Sequence, residues 1–164
     1  MIFISLGSRE YQFNRLLIKI DQLIENGILN EEIFAQIGQS DYTPKYYQYD
    51  RFISQNDFIH YQDKADIIIS HGGTGSLVGA LKRGKKVIAV PRLAKFGEHI
   101  DDHQLQVSSI LNAEKYLIMV TDMDNLEMAI SNIKNNPELV KKYDKPSHVV
   151  EIIDSYLRDL LKGI

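Results

Sequence analysis

The chain has 164 residues, enough for one domain with a sizeable core and too few for two of ordinary size. Its 44% hydrophobic and 25% charged residues are globular values, and a formal net charge of −3 gives no overall positive field for nucleic acid or anionic lipid. The absence of cysteine excludes disulfides, thiol nucleophiles and thiolate zinc sites, and fits a reducing, cytoplasmic setting.

The opening MIFISLGSREYQ lacks the basic start and long apolar stretch of a signal peptide, and no apolar run approaches the ~20 residues that cross a bilayer. Ile2–Leu6 reads as a buried strand that ends at Gly7 and Ser8. Phe13–Ile24 carries apolar residues at helical spacing, with Gly27 as its stop. Ile33–Ile37 is a second strand, and 38–50 reads as a loop with a short strand around Tyr47–Tyr49. Phe58–Lys64 reads as a short helix, Asp66–Ser70 as a strand, and Leu77–Arg83 as a helix stopped by Gly84. Val87–Val90 is another buried strand, followed by a loop over 92–100. Asp102–Asn112 suggests a helix, Tyr116–Val120 a strand, and Asp124–Asn135 and Ser147–Leu161 two closing helices, the last with a broad apolar face. Alternating strands and helices predict one α/β domain, Rossmann-like and doubly wound, with a mostly parallel sheet.

The most informative stretch is DIIISHGGTGSLVGALKRG, residues 66–84. A strand enters a loop with three glycines, Gly72, Gly73 and Gly75, and leaves as a helix. Glycines let the backbone turn sharply and let a ligand approach its N–H groups, and the helix start adds unpaired N–H groups and partial positive charge. Thr74 and Ser76 add hydroxyls, so the loop suits a phosphate or diphosphate. The alternative is a strand-to-helix turn whose glycines solve only a packing problem. The spacing fits neither the P-loop nor the dinucleotide fingerprint. His71 stands at the strand's carboxyl end, a place that suits donation to a phosphate, work as an acid or base, or a hydrogen-bonded role in the scaffold.

In PRLAKFGEHIDDHQLQ, residues 91–106, Glu98, His99, Asp101, Asp102, His103 and Gln104 crowd together. Asp101 or Asp102 suits a helix cap, while a carboxylate beside an amide also suits paired sugar hydroxyls. The histidine spacing matches no strong metal signature. Asp122-Met123-Asp124 has the Asp-x-Asp form of a cation site, but its place before a helix favours capping.

HGGTGSLVGALKRGKKVIAVPR followed by DDHQLQ resembles the C-terminal domain of family 28 glycosyltransferases, which have the GT-B fold. The likeness is nearest to short stand-alone forms: the bacterial PssE-type proteins of capsule and exopolysaccharide synthesis, and the soluble subunit of the dolichol-linked N-acetylglucosaminyltransferase. The resemblance implies that Gly7 and Ser8 approach the donor's diphosphate, and that Phe52 and Ile53 read the uracil edge. It also implies that His71, Gly72, Gly73, Thr74, Gly75 and Ser76 surround the diphosphate and sugar, and that Asp102, His103 and Gln104 contact the sugar hydroxyls. Catalytic help from His71 would be electrostatic. By the same resemblance no metal is expected, the donor is a UDP-sugar, and transfer to a lipid-linked saccharide inverts the anomeric centre. The acceptor half would be a membrane-anchored, PssD-like partner that recruits this chain to the inner face of the membrane. One departure stands out: where the resemblance implies a ribose-binding glutamate this chain has Gly79, which suggests weaker nucleotide affinity, a substitute such as Glu98, or a non-catalytic enhancer subunit.

Overall fold

The computed structural model describes residues 1–143, so the helix expected at Ser147–Leu161 lies outside the described residues. Six strands form one sheet: β1 (Ile2–Ser5), β2 (Ile33–Gln36), β3 (Gln48–Asp50), β4 (Ile67–Ser70), β5 (Lys86–Ala89) and β6 (Ile118–Met119). They stand in the order β3-β2-β1-β4-β5-β6, and every neighbouring pair is parallel. Five helices connect and cover them: α1 (Asn14–Glu25), α2 (Gln55–Lys64), α3 (Thr74–Lys82), α4 (His103–Ala113) and α5 (Leu126–Asn135).

Period-two alternation along the strands builds two cores. Ile2, Ile4, Ile67, Ile69 and Ile88 face Leu16, Leu17 and Ile20 of α1 and Ile130 and Ile133 of α5. Phe3, Phe34, Ile68, Val87 and Ala89 face Leu77 and Leu81 of α3 and Val107 and Leu111 of α4. With both faces covered, β1, β2, β4 and β5 are largely apolar and read as Ile/Val/Phe-rich runs, whereas the edge strand β3 is polar and exposed.

Two helices begin earlier than their sequence suggests. For α2 the reason is Ser54, whose side chain accepts from Asp57 N and caps a first turn of polar residues. For α3 the helix starts at Thr74, inside the glycine loop, with Gly73 in an extended conformation at the N-cap. Thr74, Gly75 and Ser76 therefore belong to the helix's first turn, where backbone N–H groups have no partner within the helix.

The connection from β1 runs to β2 on one side, and that from β4 runs to β5 on the other. The loops after β1 and β4 thus flank the point where the winding reverses, the place where open α/β sheets hold ligands.

Candidate functional site

At this reversal point His71 ties the two loops together. Its Nδ1 lies 2.9 Å from the Ser5 carbonyl, which can only accept, so Nδ1 carries the proton. The ring is buried and presses on two glycines. A Cβ on Gly7 would stand 2.8 Å from the ring, and one on Gly73 would stand 2.4 Å from Nε2. Gly7 also needs its φ of +73°, so both the backbone and the ring select glycine there. Burial is the main cause that pushes the His71 imidazolium down to about 4, which leaves a neutral ring at pH 7.

The glycine loop is half scaffold and half open. Gly72, at φ +88°, packs against α4: a Cβ there would come within 3.1 Å of Ser108 Oγ and 3.2 Å of Gln104 Cβ. The Ser76 hydroxyl is bonded to those of Ser5 (3.2 Å) and Ser70 (3.1 Å), pinning α3 to β1 and β4. Gly75 is exposed, and a Cβ on it would meet nothing within 4 Å. Among the described residues, no group accepts from the N–H of residues 72–76. Such a run of free donors at a helix start is an anion seat.

The loop after β1 is gripped by a residue that the sequence reading missed. Gln36, buried at the end of β2, accepts from Gly7 N (3.0 Å) and donates to Gly7 O (2.7 Å) and Arg51 O (2.9 Å). Gly7's amide is thereby consumed. Exposed Ser8 is left to offer donors from this loop, since no hydrogen bond of the described residues involves it. The signal for Gln36 was a polar residue ending an apolar strand, which calls for a buried hydrogen-bond partner.

Gly7, Ser8, Phe52 and Ile53 line one pocket of about 290 Å³ with Gln36, Gln55 and Phe58. The backbone N–H and C=O of Phe52 and Ile53 take part in no hydrogen bond among the described residues, so they are free to read a planar amide edge. Gly7 links this pocket to the glycine loop through the shared His71 ring. A larger hollow of about 710 Å³ is lined by Gln12, Arg15, Lys95, Phe96, Glu98 and Asp122 among others; no glycine-loop residue contributes to it.

The segment after β5 contributes mostly architecture. Asp101 Oδ1 accepts from His103 N, the first residue of α4, at 3.0 Å, while the N-cap residue Asp102 makes no side-chain cap bond. Exposed Asp102 uses one carboxylate oxygen on Ala94 N (2.9 Å), and buried Gln104 accepts from Arg92 N (3.3 Å). Asp122 accepts from Asp124 N, a cap rather than a cation ligand. Glu98, a candidate substitute for the missing ribose contact, is only 1% exposed and is bonded to Arg15 Nε (2.7 Å) and Leu93 N (2.9 Å). It cannot serve a ribose. Among the described residues no group of three or more His, Cys, Asp or Glu is placed to hold a metal ion.

Residues 1–156 match the glycosyltransferase family 28 C-terminal domain. The chain belongs to that family. Curated relatives include UDP-N-acetylglucosamine transferase subunit ALG13 of Cryptococcus neoformans, 29% identical over 107 residues, and that of Yarrowia lipolytica, 30% identical over 71 residues. These matches span 62% and 43% of this chain but only 51% and 34% of the relatives. Among solved structures, the calicheamicin glycosyltransferase CalG4 aligns with a TM-score of 0.63 at 12% identity, covering 97% of this chain and 43% of that one. MurG of Acinetobacter baumannii aligns at 0.59 with 18% identity, covering 93% and 49%. The UDP-GlcNAc 2-epimerase of Neisseria meningitidis aligns at 0.59 with 12% identity, covering 96% and 44%. At such identities the structural likeness establishes the Rossmann-like fold of this family 28 domain, and an epimerase among the neighbours shows that fold alone does not name a reaction.

Proposed function

We propose that this chain is the donor-binding part of a UDP-sugar glycosyltransferase that works with a second, acceptor-binding protein. The observation that carries this reading is the run of free N–H groups over residues 72–76, joined through His71 and Gly7 to the pocket lined by Ser8, Phe52 and Ile53. The uracil edge would lie on the free backbone of Phe52 and Ile53. The diphosphate would lie at Thr74, Gly75, Ser76 and Ser8, and the sugar toward Asp102, His103 and Gln104.

In the inverting reaction the acceptor oxygen bonds to the anomeric carbon as that carbon's bond to the diphosphate oxygen breaks. The hydroxyl proton passes to a base supplied by the partner, and UDP leaves. The N–H groups at the start of α3 would offset the charge developing on the leaving diphosphate without a metal. His71 would act through its dipole and by holding the loops, since its ring is neutral and its Nδ1 proton is spent on Ser5. The likeness to a UDP-N-acetylglucosamine transferase subunit supports a second protein partner and makes UDP-N-acetylglucosamine the first donor to test; in this reading the partner is membrane-anchored and the acceptor lipid-linked. A PssD-like partner at the inner membrane face, in capsule or exopolysaccharide synthesis, is the setting this reading favours.

Titration of the isolated chain with UDP by calorimetry should give saturable binding that EDTA leaves unchanged. No binding, with or without the partner, overturns the reading. Gly79 favours one rival, a non-catalytic enhancer subunit. Thr74→Val and Asp102→Asn decide between them: both should abolish most turnover of the complex if this chain holds the donor, and both should be silent if it only activates its partner.

A further inference from the structure

Arg92, directly after Pro91 at the end of β5, is the largest fully buried side chain of the described residues. An arginine is not placed there for packing economy, because removing a guanidinium from water is costly. Its contacts explain the position. Nη2 donates to Leu6 O (2.8 Å) and Tyr11 O (3.1 Å), the carbonyls on either side of the Gly7–Glu10 loop. Its backbone N lies 3.3 Å from both His71 O and Gln104 Oε1. One residue therefore touches the loop after β1, the glycine loop and the start of α4.

Its charge is poorly compensated. Nε and Nη1 have no hydrogen-bond partner, and the nearby carboxylate of Glu98 is engaged by Arg15 and Leu93 N. Desolvation lowers the guanidinium to about 10, which still leaves it cationic at neutral pH. A buried cation bridging the two ends of a loop gives that loop a local positive bias, which favours an anion bound against it.

The geometry points to Arg92 as the positioning residue of the diphosphate subsite: it holds the Gly7–Glu10 loop in its receptive shape and biases that site toward negative charge without touching the ligand. This deepens the UDP-sugar reading and depends on it. The test compares UDP with uridine, titrated into the wild-type chain, Arg92→Met and Arg92→Lys. Arg92→Met should weaken UDP by about tenfold, through a loop that has lost its bridge and a site that has lost its nearby charge, while uridine changes by less than about twofold. Arg92→Lys, which keeps the charge but whose shorter chain reaches the two carbonyls less well, should fall between and supplies the answer if the Met variant does not fold. Equal losses for UDP and uridine, or no loss for either, would mean a purely structural arginine and would overturn the inference alone. A wild-type chain that binds neither ligand would overturn the UDP-sugar reading and this inference with it.

Discussion

Gly73 has an ordinary φ of −66°, so nothing in its backbone demands glycine. What demands it is the His71 ring, 2.4 Å from where a Cβ would sit. Gly73→Ala should therefore cost about 1–3 kcal/mol of stability by urea unfolding, the usual range for an overpacked site. In a His71→Ala background the same change should cost well under half as much, and an undiminished cost would show that the ring is not the obstacle. His71 makes a second measurable contribution. Its folded-state pKa of about 4 lies below the ordinary histidine value, so the unfolded chain binds the proton more readily. Stability from this group is complete above about pH 6.5 and is lost as pH falls toward 4, by roughly 3 kcal/mol over the window. Unfolding curves between pH 7 and 4.5 should be steeper in pH for the wild type than for His71→Asn; parallel slopes would refute the assignment.

At the level of elements, α3 carries the departure that matters most for affinity. Gly79 lies inside the helix, and a Cβ there would meet only the Gln62 amide, at 3.8 Å. Gly79→Ala should accordingly stabilise the chain by about 0.5–1 kcal/mol in urea unfolding. Gly79→Glu, which supplies the carboxylate that the family resemblance implies at the ribose, should tighten UDP several-fold; unchanged affinity would mean that the ribose does not reach this turn. Strands β1, β2, β4 and β5 were legible because a sheet covered on both sides writes its inner strands as apolar runs. The start of α3 was not, because Thr-Gly-Ser has the composition of a loop and becomes helical only where Ser76 is pinned to Ser5 and Ser70. The glycine loop and the Phe52–Ile53 segment were visible as motifs. Gln36 and Arg92 were not visible as site residues, since their partners stand 29 and 86 positions away and depend on strand order.

Across the whole molecule, the carboxyl edge of the sheet is braced by charges that never meet the proposed ligand. Arg15, from α1, donates to Glu98 (2.7 Å), to Pro91 O after β5 (2.8 Å) and to Thr121 O after β6 (3.2 Å). Its guanidinium also lies about 5 Å from the rings of Phe13 (5.0 Å) and Phe96 (5.1 Å). Glu98 closes the brace by accepting from Leu93 N, and its charge is felt by Arg92. Helix α1 and the segments after β5 and β6 are thus joined through the Arg15 guanidinium, with Glu98 as its buried counter-charge. Glu98→Gln would keep the shape and most hydrogen-bonding atoms but leave Arg15 with no ion-pair partner and remove a nearby negative charge from Arg92. Removing one member of a buried pair strands the other, so this variant should lose about 3–5 kcal/mol in urea unfolding. A paired change, Arg15→Met with Glu98→Gln, should recover part of that loss, because fewer cations then face a neutral partner. Losses that simply add would show that Arg15 and Glu98 act independently and that the edge is held by its backbone hydrogen bonds instead.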